Sequence, residues 1–453
     1  MKLKLLFALL IVTISNAQTQ IGQDIIGNTN SVNAIALSEN GNVIAISSDN
    51  LIKVYSNISG NWTRVGQDIP EYGYRILLSN DGSTIAITNH STMAGIVRVY
   101  KNINNTWTQI GQDILDSSGS HDIALSGDGS IIAMAPIGGP FNIHKNISGV
   151  WTVIGNINVY GGFSICLSEN GDTIAAAAHP GTTIDVFKNV NNNWIPVGNT
   201  INANPNDGST GFRMDISSDG NTIAVTAGST QSQNTGSIKV YRYINNNWSL
   251  LGNPIVSTVP NEHFGSNVAI SGSGNVVVVG SYKKSNYRIG RIDIFEYLQG
   301  NWVKKGEITD QSGNEIYRTI ALSRDGNSLA LRSNGKVGPK PAGNIVEEQT
   351  NANNYEGKGP SAGVRVYDIS GILSSDTFVL ENFNIYPNPT TDILNIELDN
   401  RLILEKVLIY NTSGQLVKET TEKAINVSAF AKGVYNVQIV TNQGKATKTI
   451  IIK

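Results

Sequence analysis

The stretch "NAIALSENGNVIAISSDNLIKVYSNISGNWTRVGQDI", residues 33–69, decides the fold because close variants of it recur along the chain. It contains four short runs, "NAIALS", "VIAIS", "LIKVYS" and "WTRVGQDI", which we name strands a, b, c and d. Short runs with alternating apolar residues and turn residues between them are typical of β-strands, and nothing in the unit has the 3.6-residue period of a helix. The unit therefore predicts one four-stranded antiparallel sheet.

Two recurring features count the copies of this unit. The a–b phrase occurs seven times, from "LSENGNVIAIS" to "LSRDGNSLALR", which begins at Leu322. A tryptophan opens strand d in six copies, at positions 62, 107, 151, 194, 248 and 302. Four-stranded units with a period near 45 residues are typical of propeller blades. The fold predicted for most of the chain is an all-β, seven-bladed β-propeller.

The turns fit this interpretation. Six of the seven a–b turns carry Asn-Gly or Asp-Gly, the pairs that accept positive φ in a type I′ hairpin. The c–d turns are also tight and rich in asparagine. We therefore expect type I′ geometry between strands a and b.

The seventh copy lacks strand d, and the N-terminal region supplies a candidate for it. Copy seven ends with strand c, "VRVYDI", at residues 364–369. The phrase "QTQIGQDI" at residues 18–25 repeats "WTQIGQDI" at residues 107–114 without its tryptophan. We predict that residues 18–25 pair with residues 364–369 and so close the ring, which hides two free strand edges.

The first 17 residues predict a signal peptide. "MKLK" gives a positive start, "LLFALLIVTI" an apolar core too short to span a bilayer, and Ser15 and Ala17 small residues before the cleavage site. Cleavage there makes Gln18 the first residue of an exported protein. Cys166 is the only cysteine, so an internal disulfide is excluded and packing must hold the fold.

The last seventy residues do not follow the repeat pattern. After a linker at 372–382, short alternating runs such as "KVLIYN" and "GVYNVQIVT" predict a small β-sandwich at residues 383–453. The segments "YPNPT" (386–390), "LIYNTSGQLV" (408–417), "GVYNVQIVTNQG" (433–444) and the closing "KTIIIK" resemble the type A C-terminal sorting domain of the type IX secretion system. The resemblance implies that residues 383–453 engage the type IX machinery, and that the protein is secreted to the extracellular space or the outer-membrane surface. A β-sandwich that binds a ligand is the alternative.

The repeats at residues 18–371 resemble propeller repeats of the FG-GAP, integrin-α-like kind. The best copies are "HFGSNVAISGSGNVVVVGS…GRIDIFEYLQGNW" and "GFRMDISSDGNTIAVTAGS…GSIKVYRYINNNW". The pattern "LSxDGxxIA" is also similar to the turn of WD-like propellers. The resemblance implies a propeller, whereas the activity must be argued from the residues.

Few residues suggest chemistry. FG-GAP propellers often hold calcium in aspartate-rich loops, but "SNDGS", "SGDGS", "SSDGN" and "SRDGN" each carry one acidic residue, and one carboxylate cannot cage calcium. The five histidines show no zinc-ligand spacing, and no catalytic motif is present. Cys166 and the tryptophans are interpreted as packing residues. The sequence predicts no metal, no cofactor and, with a net charge of −2, no nucleic-acid partner.

The segments that join strand d to the next strand a carry the candidate ligand-binding residues. They lie on the same face as the b–c loops, of which the seventh, residues 333–363, is long enough to be functional or disordered. Aromatic rings and guanidinium groups there suit sugars or anionic groups at the mouth of a central channel. The alternative is that they wedge adjacent blades together. The candidates are Tyr74, Arg75, Phe163, Phe212, Arg213, Phe264, Tyr317 and Arg318.

These observations favour a secreted or cell-surface protein that binds an extracellular glycan or protein without catalysis. One alternative is an extracellular glycan hydrolase or lyase with acidic residues dispersed around the channel. A second alternative is a passive matrix or surface protein. Converging carboxylates at the channel would favour the enzyme, and an aromatic-lined pocket without them would favour binding.

Overall fold

The computed structural model describes residues 18–453 apart from several short segments and one long one. The exceptions are residues 27–31, 90–94, 117–119, 137–138, 160–163, 178–182, 192, 203–209, 228–235, 258, 260–261, 284–285, 299, 311–318, 335–361, 374–382, 399–401, 412–414 and 442–443. The predicted signal peptide, most of the long b–c loop and most of the linker therefore lie outside the described residues.

The described residues are all-β and contain no α-helix; a short 3₁₀ helix spans Ser370–Ile372. Seven antiparallel sheets, here called sheets 1 to 7, follow the seven sequence repeats. Sheet 1 has strands Ala34–Leu37, Val43–Ser48, Leu51–Ile58 and Asn61–Arg64. Sheet 2 has Arg75–Leu78, Thr84–Asn89, Gly95–Ile103, Thr106–Gln109 and Ile114–Asp116. Sheet 3 has Ser120–Leu125, Ile131–Pro136, Phe141–Ile147 and Val150–Ile157.

Sheets 4 to 7 repeat this plan. Sheet 4 has Ser164–Leu167, Thr173–Ala177, Thr183–Val190, Asn193–Pro196 and Ile201–Asn202. Sheet 5 has Thr210–Ile216, Thr222–Ala227, Ser237–Ile244, Asn247–Leu250 and Ile255–Val256. Sheet 6 has Glu262–Ile270, Val276–Lys283, Asn286–Leu298 and Asn301–Asp310. Sheet 7 has Ile320–Leu322, Ser328–Asn334 and Ala362–Asp368, joined by Thr19–Gln20 and Ile25–Ile26.

The C-terminal residues form two further antiparallel sheets around one shared apolar core. One has Phe383–Tyr386, Ile393–Leu398 and Ala424–Asn426. The other has Leu404–Asn411, Leu416–Thr420, Gly433–Thr441 and Gly444–Ile452. The "YPNPT" motif covers the edge of the last strand: Asn388 accepts the N–H of Ile451 at 2.9 Å and donates to the carbonyl of Thr449 at 3.1 Å.

The a–b turns are not the type I′ turns predicted from their Asp-Gly and Asn-Gly pairs. In sheet 2 the hydroxyl of Ser79 donates to Asp81 at 2.6 Å and accepts the N–H of Thr84 at 2.9 Å. The N–H of Gly82 donates to the Ser79 carbonyl at 2.9 Å. Gly82 alone takes positive φ, at 69°, because this serine-closed loop is longer than two residues. The aspartate is thereby explained as a turn residue.

The type I′ geometry occurs instead between strands c and d. In sheet 2, Asn104 and Asn105 have φ values of 51° and 62° and lie between the paired residues Ile103 and Thr106. Two consecutive residues of positive φ match the right-handed twist of the flanking strands, and asparagine accepts this conformation more readily than most residues. The backbone conformation of the c–d turns therefore explains why they are rich in asparagine.

In five sheets the tryptophan of strand d donates through Nε1 to a carbonyl of the preceding sheet, at the residue before the glycine of the "IGQDI" phrase or its equivalent. In the best example, Trp107 Nε1 of sheet 2 donates to the carbonyl of Val65 in sheet 1 at 2.9 Å. The amide of Gln67 accepts the Trp107 N–H at 3.0 Å and donates to its carbonyl at 2.8 Å. A Cβ on Gly66 would come within 2.9 Å of the Trp107 ring, so glycine is required for this contact. The tryptophans are therefore packing residues, as the sequence indicates.

The N-terminal strand completes sheet 7 in the predicted place. Thr19 pairs with Asp368, and Ile25 pairs with Val364. The carbonyl of Ile21 accepts a hydrogen bond from Trp62 Nε1 of sheet 1 at 2.8 Å. Residues 18–25 thus take the position that "WTQIGQDI" takes in sheet 2.

Backbone hydrogen bonds link the seven sheets in a closed cycle. In sheets 1 to 6 the residue that follows the buried serine of the a–b turn donates its N–H to the equivalent carbonyl of the next sheet, at 2.6–3.0 Å. The N–H of Asp325 in sheet 7 donates to the carbonyl of Glu39 in sheet 1 at 3.0 Å and completes the cycle. We call these seven positions the floor residues: Glu39, Asn80, Gly127, Glu169, Ser218, Gly272 and Arg324.

Candidate functional site

The first strands of the seven sheets line one cavity, which we call the axial cavity. Its volume is about 770 Å³, within the range of pockets that bind small molecules. Alternate residues of a strand face the same side, so positions two and four residues before the buried serine contribute two successive layers of side chains. The floor residues lie beyond them, at the a–b turns.

The middle layer, two residues before each serine, leaves the space for the cavity. Four of its seven members are alanine, and small side chains on inner strands leave a void along the axis. Cys166 belongs to this layer, and burial raises the pKa of its thiol well above the usual value. A thiol kept protonated is a poor nucleophile. The layer consists of Ala36, Leu77, Ala124, Cys166, Asp215, Ala269 and Ala321.

The upper layer, four residues before each serine, is more polar. Arg75 Nη1 lies 2.5 Å from Oδ1 of the fully buried Asp122. Asp122 also accepts the N–H of Ile165 at 3.2 Å and the hydroxyl of Ser164 at 3.1 Å, which fixes the carboxylate and, through it, the guanidinium. The layer consists of Ala34, Arg75, Asp122, Ser164, Arg213, Asn267 and Thr319.

Arg213 lies close to Arg75 in this layer. Burial lowers the pKa of the Arg213 guanidinium, and the positive charge of Arg75 lowers it further. Both side chains line the cavity. Two neighbouring guanidinium groups in a partly desolvated cavity provide planar donors that suit a carboxylate or sulfate group.

Tyr74 gives the cavity an exposed aromatic border. It is 52% exposed and lines the cavity next to Arg75. Tyr72 lines the same end, and Arg332 also faces the cavity from sheet 7. An exposed aromatic ring beside arginines can stack on a sugar face while the guanidinium groups bind charged substituents.

Two side-chain bridges cross the floor of the cavity. Asn80 of sheet 2 donates through Nδ2 to Oε1 of Glu169 in sheet 4. On the other side, Arg324 Nη1 of sheet 7 reaches sheet 5, where it lies 3.3 Å from Asp215 Oδ1 and donates to the carbonyl of Ile216 at 2.8 Å. Each bridge passes over a sheet whose floor residue is glycine.

Carboxylates also gather at the floor. The pKa of Glu39 is raised by burial and by the neighbouring negative charges of Glu169 and Asp325. Within the described ranges, no three histidine, cysteine, aspartate or glutamate side chains come together as metal ligands. Of the acidic groups that line the cavity, Glu169 and Asp215 are engaged in the two bridges.

The structure brings three of the predicted site residues together and places a fourth elsewhere. Tyr74, Arg75 and Arg213 line the axial cavity. Phe264 is 4% exposed and packs edge-to-face on Phe295, with 6.4 Å between ring centroids, which is the packing alternative for that position. The side chains outside the described residues are those of Phe163, Phe212, Tyr317 and Arg318.

Sequence reasoning missed two charged residues of the cavity, Asp215 and Arg332. Alignment of the seven copies on the turn serine carries the signal. Asp215 is the charged member of the middle layer, and Arg332 is the charged residue in a column of small ones: Ser47, Thr88, Ala135, Ala177, Thr226 and Gly280. A charge at a position that is otherwise small and inward-facing marks a functional candidate.

Comparisons with known proteins identify the C-terminal region. Residues 384–453 match the family described as the secretion system C-terminal sorting domain. The chain is therefore an exported protein, secreted or displayed at the cell surface, as the sequence predicts. No helix among the described residues has the length and hydropathy that a membrane crossing requires.

Two further similarities are partial. A stretch of 88 residues is 39% identical to the ulvan lyase NLR42 of Nonlabens ulvanivorans, which corresponds to 18% of this chain and 16% of that protein. The chain thus spans about a sixth of that relative's length. Among solved structures, the hydrazine synthase of Kuenenia stuttgartiensis aligns with a TM-score of 0.46 and 14% identity, over 68% of this chain and 94% of that chain.

Proposed function

We propose that residues 18–371 form a seven-bladed β-propeller of the FG-GAP, integrin-α-like kind, closed by its N-terminal strand. Its support is the cyclic hydrogen bonding of seven equivalent sheets and the pairing of residues 19–26 with residues 362–368. Residues 372–382 are then a linker, and residues 383–453 are the sorting domain through which the type IX secretion machinery exports the protein. The propeller is the passenger that acts outside the cell.

The passenger binds an extracellular ligand in the axial cavity, and an anionic glycan is the ligand class that fits best. The observation that carries this proposal is the juxtaposition of Arg75, Arg213 and the exposed Tyr74 on the cavity wall. Guanidinium groups bind carboxylates or sulfates through paired hydrogen bonds, and the tyrosine ring offers a stacking surface. Phe163, Phe212, Tyr317 and Arg318 stay predicted ligand-binding residues, and their side chains lie outside the described residues.

A glycan array with the mature chain, residues 18–453, tests this function. We expect binding to carboxylated or sulfated glycans and little binding to neutral ones. Arg213→Gln should reduce the affinity at least tenfold, because it removes a charge-assisted donor. The matched control is Arg64→Gln, since Arg64 pairs with Asp68 on strand d of sheet 1 and neither residue lines the axial cavity. Equal binding by both variants would contradict the proposed site.

A glycan hydrolase or lyase is the second candidate. The partial similarity to a protein named as an ulvan lyase favours it, and Glu39, with its raised pKa near Glu169, is a candidate acid. Release of new reducing ends from anionic polysaccharides, lost in Glu39→Gln, would establish this activity. If the protein binds these polysaccharides but releases no product, the binding function stands. If it neither binds nor cleaves them, the passive surface protein is the remaining alternative.

A further inference from the structure

We propose that the axial cavity is blind at the floor, and that the protein therefore recognises the end of an anionic glycan chain and not an internal segment. This inference rests on the proposed function. Four observations carry it. Three concern the floor: the two side-chain bridges, the glycine beneath each bridge, and the backbone hydrogen bonds that link the seven sheets. The fourth is the position of Arg75 and Arg213 toward the other end of the cavity.

The first bridge closes one half of the floor. Asn80 and Glu169 belong to sheets 2 and 4, and their side chains are hydrogen-bonded across sheet 3. The floor residue of sheet 3 is Gly127. A Cβ placed there would lie 2.4 Å from Glu169 Cγ and 2.6 Å from Asn80 Nδ2. The bridge therefore occupies the space that any side chain at position 127 would need.

The second bridge lies over the other half of the floor. Arg324 of sheet 7 reaches Asp215 and the carbonyl of Ile216 in sheet 5, across sheet 6. The floor residue of sheet 6 is Gly272, where a Cβ would lie 2.4 Å from Ser218 Oγ and 2.9 Å from the Arg324 carbonyl. Here the Ser218 hydroxyl and the Arg324 main chain, beside the bridge, occupy the space that a side chain at position 272 would need. With both glycine positions filled, the floor has no room for a polymer strand to pass.

The backbone keeps this closure rigid. Six hydrogen bonds between floor residues, and a seventh from the N–H of Asp325 to the carbonyl of Glu39, hold the main chains at 2.6–3.0 Å from donor to acceptor. Widening the floor would break several of these bonds together, and each unpaired buried group would cost free energy. Opening on the scale of a sugar chain is therefore disfavoured.

Among the described residues, the opposite end of the cavity has an exposed border. Tyr74 borders the cavity there and is 52% exposed. Arg75 and Arg213 lie in the upper layer, between that end and the small residues of the middle layer. A glycan that enters past Tyr74 brings its terminal units against the two guanidinium groups and stops at the floor. The rest of the chain must leave by the same opening.

The number of proteins bound per glycan chain distinguishes end recognition from internal recognition. The probes are size-fractionated oligogalacturonides, which carry carboxylates, and sulfated oligosaccharides prepared from carrageenan, each as a short and a tenfold longer fraction. Isothermal titration calorimetry and analytical ultracentrifugation of the mature full chain give the stoichiometry and the affinity per glycan molecule. For end recognition we expect one protein per binding-competent end and an affinity per molecule that is unchanged in the longer fraction.

Internal recognition gives a different result. The longer fraction would then bind several proteins per molecule, and its affinity per molecule would rise about tenfold with the number of registers. That outcome, together with loss of binding in Arg213→Gln, would overturn the blind-cavity inference and leave the proposed function intact. Failure of every probe to bind would overturn both.

Discussion

The guanidinium of Arg365 holds both carboxylate oxygens of Asp24, with Nε–Oδ1 at 2.8 Å and Nη2–Oδ2 at 2.7 Å, although 341 residues separate them in sequence. The same two-point contact joins Arg98 to Asp113 within sheet 2, at 2.9 and 2.8 Å. The N-terminal "IGQDI" phrase therefore reproduces in sheet 7 an ion pair that the continuous chain makes in sheet 2.

Replacing Arg365 with leucine should weaken the closure of sheet 7. The arginine side chain is 10% exposed, so the substitution leaves Asp24 without its charge-assisted partner and should lower the free energy of unfolding by about 2 kcal/mol. Urea unfolding followed by tryptophan fluorescence measures the change. Arg64→Leu is the control, because its pair with Asp68 is more exposed and surface pairs contribute roughly 0–1 kcal/mol. Equal losses in both variants would contradict a special role for the closure pair.

Acid should remove the same contribution. Burial opposes ionisation of Asp24, but the hydrogen bonds from Arg365 and Gln20 outweigh it, so its pKa lies below the ordinary 3.8. A depressed pKa stabilises the fold above the ordinary value, and this stabilisation is lost as the pH falls through the lower, folded-state value. The stability difference between the natural protein and Arg365→Leu should therefore be full at pH 7 and shrink below about pH 4. A constant difference from pH 7 to pH 2.5 would exclude this linkage.

Deletion of residues 18–26 should open the ring. It removes both N-terminal strands of sheet 7 and the carbonyl of Ile21 that accepts Trp62 Nε1, leaving two strand edges unpaired. We expect a melting temperature lower by at least 10 °C and concentration-dependent association, measured by calorimetry and light scattering. A deleted protein that melts with the full-length one would show that the ring does not depend on this closure.

Two tryptophans offer a matched test of the inter-sheet hydrogen bond. Trp107 Nε1 donates to the Val65 carbonyl at 2.9 Å, whereas Trp194 Nε1 has no acceptor among the described residues. Substitution by phenylalanine removes the donor in both cases. Trp107→Phe should cost about 1 kcal/mol more than Trp194→Phe, measured by urea unfolding. Identical costs would mean that ring packing alone accounts for both tryptophans.

Gly127→Ala tests the side-chain bridge over the floor. The added Cβ would lie within 2.6 Å of Asn80 Nδ2 and closer still to Glu169, so we expect a loss of about 1–3 kcal/mol from overpacking. Gly371→Ala is the control, because no atom lies within 4 Å of its added Cβ. A neutral Gly127→Ala would show that the bridge gives way readily and would weaken the description of a sealed floor.

The repeat plan and its closure could be predicted from the sequence because each depends on local signals repeated many times. The alternation within strands, the recurring tryptophan and the copied "IGQDI" phrase locate the four strands and the missing one. The prediction of type I′ turns between strands a and b is wrong, because Asp81–Gly82 looks like a two-residue loop in the sequence. The longer loop depends on the hydroxyl of Ser79, which bonds to residues on both sides.

The candidate site was only partly predictable. Tyr74, Arg75 and Arg213 lie at the start of strand a, where the topology indicates an opening. Phe264 also lies near the start of a strand a but is buried against Phe295. It lies seven residues before its turn serine, whereas Tyr74 lies five before, and the register of its strand shifts between Phe264 and Asn267. The floor bridges join sheets 2 and 4 or 5 and 7, so they depend on the circular arrangement and have no counterpart within a single repeat.

The pairing of residues 19–26 with residues 362–368 also fixes an order of events during biosynthesis. Residues 19–26 cannot find their partner until the seventh repeat has been translated, more than 300 residues later. Contacts of such large sequence separation are slow to form. The nascent chain must therefore keep an open, partly assembled array soluble until its final strand arrives, and interrupted translation products cannot complete the ring.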